Sequence, residues 1–188
     1  MKLSTTMKSL LEYPVVPTSI TSDSFYESLN TPAKAVFCQQ GTTLATVSQQ
    51  ISEAHNAGKS IFLCIDLIDG LGKDRDGVEY LADCGADGVI TTRGQLIRYG
   101  KQVGLLTVQK FFVLDSLSLS DTRDIIAVTR PDSIMIAPGV VGKVIEKFSR
   151  FSTPVIAGGL IEIKNEVEEA LRYGAAAITT SCPALWHL

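Results

Sequence analysis

The strongest constraint on the fold is a regular alternation of short, almost wholly apolar runs with longer stretches of helical pattern. The runs are rich in β-branched residues, and they are apolar throughout, as strands of a buried parallel sheet are. Strands are predicted at Val15–Thr18, Ala35–Cys38, Ser60–Asp66, Gly88–Thr91, Leu105–Val108, Ser133–Ile136, Val155–Ala157 and Ala177–Thr180. Eight strand-then-helix units predict a compact (β/α)8 barrel, the TIM-type architecture of the α/β class.

The segments between the strands have the pattern of helices. Helices are predicted at Thr42–Ala57, Asp74–Cys84, Asp115–Val128, Val140–Phe148 and Ile161–Tyr173. Three of them are followed by a glycine that favours a helix end, namely Gly58, Gly85 and Gly174. A barrel usually takes about 200 residues or more. With 188 residues, this chain needs short or missing helices, and the last is reduced to Pro183–Leu188. No linker divides the sequence, so we expect one domain over residues 1–188.

Composition excludes several classes of protein. With 45% hydrophobic residues and a mean hydropathy of +0.21, the chain is too apolar to be disordered. Apolar runs such as Ser60–Ile65 are too short to span a bilayer, and Met1–Leu11 lacks a signal-peptide pattern. We therefore expect a cytoplasmic protein with no membrane partner. The net charge of −3 lacks the basic excess typical of nucleic-acid binders, but it allows a local basic patch.

The cysteines and histidines predict neither a metal site nor histidine catalysis. The four cysteines are interpreted as free thiols, because they are far apart and form no C-x-x-C pair. They are Cys38, Cys64, Cys84 and Cys182. The two histidines are His55, within a predicted helix, and His187, next to the C-terminal residue. We expect no metal, no cofactor and no catalytic histidine.

A candidate phosphate site follows the last two predicted strands. Strand seven leads into Gly158 and Gly159, and strand eight leads into Thr180 and Ser181. In (β/α)8 barrels a phosphate group often binds after these two strands. Two glycines let backbone N–H groups approach an anion closely, and the hydroxyl groups add donors. A tight turn is the alternative explanation for the glycines, but their combination with the two hydroxyl groups favours phosphate binding.

Charged residues at other strand ends are further candidates. Asp66 ends strand three, where a carboxylate contacts substrate hydroxyl groups or acts as a general base. Its alternative role is to accept hydrogen bonds from neighbouring backbone N–H groups. Lys110 follows strand five and would neutralise a phosphate or contact an RNA backbone, or else lie in solvent. Asp115 and Ser116 are interpreted as the N-cap of the next helix.

Basic residues near the same face are candidate contacts for an RNA backbone. They are Lys73, Arg75, Arg93 and Lys143, together with Lys110. The alternative is a scatter of solvated side chains, since no RRM, KH or helix-turn-helix signature accompanies them.

Several segments occur in an order and spacing that are typical of one family. They are Asp66–Leu71, Gly88–Gly94, Gln109–Lys110 with Leu114–Ser116, Pro138–Gly139, Ile156–Ile161, and Thr179–Ser181 with Leu185–Trp186. From about Gly58 to Trp186 the chain resembles the glycerol-3-phosphate-responsive antiterminators, which regulate bacterial glycerol-uptake operons.

This resemblance implies a non-enzymatic barrel that senses glycerol 3-phosphate. It also implies binding to the leader mRNA of the operon, so that transcription passes a terminator. At matching positions the resemblance assigns the phosphate to Gly158, Gly159, Thr180 and Ser181. It places Asp66 beside the glycerol hydroxyl groups and gives Lys110 the role of an added positive charge. Ligand and RNA would then raise each other's affinity by the same factor.

The chain departs from the family on the face that would hold the ligand. Cys64 stands where the family has a histidine, and Met135 stands where it has a glutamate. Lys110 replaces an arginine, and Val16–Ser19 lacks a basic residue. The expected ligand is therefore glycerol 3-phosphate or a related phosphorylated small molecule. The alternatives are an isomerase or aldolase acting on a phosphorylated sugar, with Asp66 and Lys110 as candidate catalytic residues, and a barrel that has lost its site.

Overall fold

The eight predicted strands close into a barrel. The structure is a computed structural model that describes residues 7–188. All neighbouring strands are parallel and follow chain order, and β1 pairs with β8 to close the sheet. The strands are β1 (Val15–Ser19), β2 (Ala35–Cys38), β3 (Ser60–Cys64), β4 (Gly88–Thr91), β5 (Leu106–Phe112), β6 (Ser133–Ala137), β7 (Val155–Gly158) and β8 (Ala177–Thr180). The predicted (β/α)8 fold is confirmed.

A helix follows each strand. The α-helices are α1 (Ser22–Leu29), α2 (Val47–Asn56), α3 (Arg75–Asp83), α4 (Gly94–Gln102), α5 (Ser116–Thr129), α6 (Gly142–Ser149) and α7 (Lys164–Arg172). After β8 the unit is reduced to a 3₁₀ helix, Pro183–Leu185, which confirms the predicted truncation. Asp74 and Asp115 cap α3 and α5, each accepting a backbone N–H three residues on. Within residues 7–188, no helix combines the length and apolar composition needed to cross a bilayer.

Alternate residues of each strand face two different apolar regions, one inside the barrel and one between the sheet and the helices. Val16, Phe62 and Val108 belong to a cluster inside the barrel, and Met7 and Leu11 join it from the segment preceding β1. The residues between them on the strands belong to two clusters that also contain helix side chains, and these lie between the sheet and the helices. The polar residues at the carboxyl ends of the strands therefore stand above a closed apolar interior.

Two helices, α1 and α4, are absent from the sequence-based prediction. α4 contains Gly94 and Gly100, and glycine has a low helix propensity. Packing requires the first of them, because a Cβ on Gly94 would lie 2.7 Å from Cγ2 of Thr129. α1 begins in a serine-rich segment whose pattern is typical of a loop, and a capping box between Thr21 and Ser24 starts it.

Several predicted boundaries are wrong at the end of the barrel where the strands finish. β3 ends at Cys64, and Asp66 lies in a 3₁₀ helix, Ile65–Leu67. β5 continues to Phe112, so Lys110 lies within the strand and not after it. α2 begins five residues later than predicted, because Leu44 N–H donates to the carbonyl of Asp69 at 2.8 Å and joins the loops after β2 and β3.

Candidate ligand-binding site

A polar pocket opens at the carboxyl ends of four neighbouring strands, β7, β8, β1 and β2. Its volume is about 520 Å³. It is lined by Thr18, Ile20, Gln39, Gly159, Leu160, Ile161, Glu162, Thr179, Thr180, Ser181 and Cys182. Three of the four residues predicted to bind phosphate are thus brought to one pocket, and the fourth, Gly158, lies in the strand beneath it.

The turn after β7 has an unusual backbone conformation. Gly159 has a φ of +82°, and Leu160 follows with a φ of +62° although it is not a glycine. The carbonyl of Gly159 accepts a hydrogen bond from Gly139 N–H at 3.0 Å. Within residues 7–188, neither Gly159 N–H nor Leu160 N–H donates a hydrogen bond. Two backbone donors beside the pocket are therefore available to an anion.

The two hydroxyl residues at the end of β8, Thr180 and Ser181, have different roles. Thr180 Oγ1 donates to the carbonyl of Ile161 at 2.7 Å and accepts from Cys182 N–H at 3.0 Å. Indole Nε1 of Trp186 donates to the Thr180 carbonyl at 2.8 Å. Thr180 therefore joins the turns after β7 and β8. Ser181 is exposed, and within the described part of the chain its hydroxyl and its N–H have no hydrogen-bond partner.

Gly158 allows close packing of β7 against β8. It is buried, and a Cβ at this position would lie 2.8 Å from Cγ2 of Thr179 and 3.3 Å from the sulfur of Met135. The absence of a side chain thus leaves space for Thr179, which lines the pocket, and for Met135 inside the barrel.

Asp66 lies outside the lining of this pocket and organises the end of β4. Its carboxylate accepts hydrogen bonds from Thr91 Oγ1 at 3.0 Å, from Thr92 N–H at 2.8 Å and from Thr92 Oγ1 at 3.2 Å. Arg93 Nε lies 3.4 Å from the same carboxylate. These contacts match the alternative role given to Asp66 in the sequence analysis, that of a group satisfying the backbone at a strand end.

Lys110 reaches the pocket through Gln39, which is not among the site residues predicted from the sequence. Its ammonium donates to Oε1 of Gln39 at 3.3 Å and lies 5.0 Å from the ring centroid of Phe112. Gln39, directly after β2, lines the pocket. The missed signal is its register, since it follows a strand by one residue, as Gly159 and Ser181 do.

Two of the residues that depart from the family pattern lie inside the barrel. Cys64 and Met135 both belong to the interior apolar cluster. Burial, together with the nearby Asp66 carboxylate, raises the pKa of the Cys64 thiol to about 11, while the Lys110 charge opposes the shift. Cys38 is also buried, and desolvation raises its pKa to about 12. Both groups are therefore protonated thiols at neutral pH.

The candidate RNA-contacting residues fall on two separate surfaces. Lys73, Arg75 and Arg93 line one groove between the ends of β3 and β4, together with Tyr99. Arg75 pairs with Glu79 at 2.7 Å within α3. Lys143 lies elsewhere, on a groove along α6 that also contains Lys147. Within residues 7–188 no cluster of three or more His, Cys, Asp or Glu side chains is arranged to hold a metal ion.

These features define a (β/α)8 barrel whose polar pocket lies over its last two and first two strands. A sequence profile of the family described as "Glycerol-3-phosphate responsive antiterminator" matches residues 15–186. The chain belongs to this family. The match begins well before Gly58, so it also includes β1 and β2, which precede the motifs that carry the resemblance.

Solved structures of similar proteins agree with this assignment. A glycerol uptake operon antiterminator regulatory protein from Listeria monocytogenes is 30% identical, with 93% of this chain and 95% of that chain covered and a TM-score of 0.88. A glycerol uptake operon antiterminator-related protein from Thermotoga maritima is 28% identical, with 92% and 97% covered and a TM-score of 0.83.

Two further similarities carry less information about function. The uncharacterized protein YgcP of Escherichia coli (strain K12) is 30% identical over 150 residues, which are 77% of each chain. Deoxyribose phosphate aldolase from Aeropyrum pernix is 15% identical, with 94% of this chain and 88% of that chain covered and a TM-score of 0.71. At this identity the likeness shows the barrel fold alone.

Proposed function

We propose that this protein is a ligand-responsive regulator of transcription termination. It binds glycerol 3-phosphate, or a related phosphorylated small molecule, and the leader mRNA of its operon, so that transcription passes a terminator. A protein acting on a nascent bacterial transcript works in the cytoplasm, and this location is part of the proposal. Family membership supports the function, and the geometry of the pocket supports the ligand class.

The single observation that carries the ligand proposal is the set of unused donors at one pocket. Gly159 N–H, Leu160 N–H and the N–H and hydroxyl of Ser181 have no partner within residues 7–188. Backbone N–H groups gathered in a turn with positive φ form a concavity suited to phosphate oxygens. In this proposal Gly158 and Thr180 act indirectly, the first by leaving space and the second by joining the two turns. Lys110 supplies positive charge behind Gln39.

The ligand proposal is tested with a charge placed beside the unused donors. Ser181→Asp is expected to weaken glycerol 3-phosphate binding at least tenfold, because a carboxylate would repel the phosphate at close range. Calorimetric titration measures the affinity. Ser152→Asp is the matched control, since Ser152 is also exposed but lines a pocket at the opposite end of the barrel. Unchanged affinity in Ser181→Asp would show that the phosphate does not bind in this pocket.

The RNA proposal has two candidate surfaces. The groove of Lys73, Arg75 and Arg93 holds three cations, whereas Lys143 shares its groove with Lys147. Each lost phosphate contact should reduce the slope of log affinity against log salt by about one. We expect Lys73→Ala with Arg75→Ala to lower this slope for the operon's leader transcript, and Lys143→Ala to leave it unchanged. The reverse result would show that the RNA binds along α6.

The enzymatic alternative, an isomerase or aldolase acting on a phosphorylated sugar, requires a free acid or base or a Schiff-base lysine. Asp66 is engaged by Thr91, Thr92 and Arg93, and Lys110 reaches the pocket only through Gln39. These contacts favour the regulator. Turnover of any phosphosugar in a panel of triose, tetrose and pentose phosphates, abolished by Lys110→Met, would favour the enzyme.

A further inference from the structure

We propose that Gln39 is a specificity-determining residue of the pocket, and that its amide Nε2 donates a hydrogen bond to an oxygen at the non-phosphate end of the ligand. This inference rests on the proposed phosphate site. It goes further by naming the group that distinguishes an organic phosphate from inorganic phosphate, and by specifying that this group is a hydrogen-bond acceptor.

Gln39 is held by a backbone hydrogen bond and lines the pocket that contains the proposed phosphate-binding turns. Its backbone N–H donates to the carbonyl of Ser19 at 3.0 Å, which holds it at the joined ends of β1 and β2. Its side chain is half-buried and lines the same pocket as Gly159 and Ser181. In the closed barrel β7, β8, β1 and β2 are consecutive neighbours, so the pocket extends from the phosphate-binding turns across two strand ends to Gln39.

The ammonium group of Lys110 determines the orientation of the Gln39 side-chain amide. An ammonium group has three donors and no acceptor, so only the amide oxygen can face it. That oxygen accepts from Lys110 Nζ at 3.3 Å. The NH₂ end then lies 3.9 Å from the sulfur of Met135, which is a weak acceptor. The amide oxygen is therefore satisfied, whereas its two N–H groups retain most of their hydrogen-bonding capacity.

The charge around Gln39 selects for electron-rich ligand atoms. Within residues 7–188 no carboxylate lies within 4.0 Å of the Lys110 ammonium, which bonds to Gln39 and lies over the ring of Phe112. A cation on the oxygen end of the amide strengthens the N–H groups as donors. Met135, the interior side chain beside the Gln39 amide, provides no strong acceptor for a ligand hydroxyl. Recognition at this end is by donation from the protein, to a hydroxyl or carboxylate oxygen.

The test compares three probes on the intact protein: inorganic phosphate, sn-glycerol 3-phosphate and 3-phosphoglycerate. The wild-type protein is expected to bind both organic phosphates at least tenfold more tightly than inorganic phosphate. The carboxylate of 3-phosphoglycerate should bind more tightly than a hydroxyl, because a charged acceptor makes the stronger hydrogen bond.

Two variants isolate the donor. Gln39→Glu keeps the side-chain length and an oxygen for Lys110 but replaces the donor with an acceptor, and Gln39→Met removes both functions. Both are expected to lose the preference for organic phosphates while inorganic phosphate binding changes less than threefold. Gln40→Glu, on the exposed adjacent residue, is the matched control and should behave as wild type.

The outcomes separate this inference from the proposed function. If both Gln39 variants bind phosphate and keep the full preference for organic phosphates, the role of Gln39 is overturned and the phosphate site remains. If the wild-type protein binds none of the three probes, the phosphate site itself fails and the inference fails with it. Thermal unfolding of each variant establishes that a lost preference does not come from misfolding.

Discussion

At the scale of single residues, Asp66 offers the sharpest distinction between a structural and a ligand-binding role. The resemblance to antiterminators assigns it to glycerol hydroxyl groups, whereas its hydrogen bonds to Thr91 and Thr92 hold the end of β4. A substitution of Asp66 distinguishes the two roles, because the structural role predicts a loss of stability and the ligand-binding role predicts a loss of affinity.

Replacing Asp66 with asparagine is expected to lower stability and to leave ligand affinity unchanged. The amide NH₂ would face N–H and hydroxyl donors that the carboxylate now satisfies, at a cost of about 1–3 kcal/mol. Urea unfolding measures this cost, and calorimetry with glycerol 3-phosphate measures affinity. A variant of normal stability with weakened binding would instead assign Asp66 to the ligand.

The buried thiol of Cys64 predicts a pH-dependent contribution to stability. In the unfolded chain the thiol has a pKa near 9.0, whereas in the folded protein burial raises the pKa to about 11. The unfolded state therefore loses its proton first, and the stabilisation from the neutral thiol is lost as the pH rises from 9 towards 11.

The cost of Cys64→Ala should consequently shrink over that range, by at most about 1.4 kcal/mol per pH unit. Denaturant unfolding at pH 8, 9, 10 and 11 gives the comparison with wild type. Ile90→Val, in the same interior cluster, has no titratable group, and its cost should be independent of pH. A constant cost for Cys64→Ala would mean that its thiol ionises alike in both states.

At the scale of elements, the backbone at the end of α5 is strained, and one substitution should relieve this strain. Arg130 caps this helix with a φ of +48°, a left-handed conformation that favours glycine. Arg130→Gly is expected to raise the free energy of unfolding by up to about 1 kcal/mol, because relief of the strain exceeds the added entropy of the unfolded chain. Arg130→Ala removes the same side chain and keeps the strain, so thermal unfolding should show no gain.

The elements also show what the sequence predicts and what it does not. Apolar runs predict all eight strands, because a strand buried on both faces has a pattern that loops lack. Helix α4 is not predicted, because glycine has a low helix propensity and packing against Thr129 requires Gly94 at the start of the helix. At the site, Gly159 and Ser181 are predictable from their place after β7 and β8. The place of Gln39 after β2 follows the same rule, but its contact with Lys110 is not predictable, because the lysine lies 71 residues away in sequence.

At the scale of the whole molecule, the segment preceding β1 completes the barrel interior. Met7 and Leu11 are buried in the same cluster as Val16 and Phe62. Leu11→Ala is expected to cost about 2–5 kcal/mol through lost burial and a residual cavity. Leu10→Ala, at a partly buried neighbour, should cost less in the same urea titration. A small cost for Leu11→Ala, no larger than that for Leu10→Ala, would show that this segment does not pack as a part of the core.

The hydrogen bond from Trp186 to Thr180 has an experimental consequence of its own. Trp186 is the only tryptophan in the sequence, it is fully buried, and its indole donates to the carbonyl of the residue that precedes Ser181. Movement of the turn after β8 on phosphate binding would therefore alter the indole environment directly. The protein carries an intrinsic fluorophore hydrogen-bonded to a pocket residue, and its emission spectrum should report occupancy without any label.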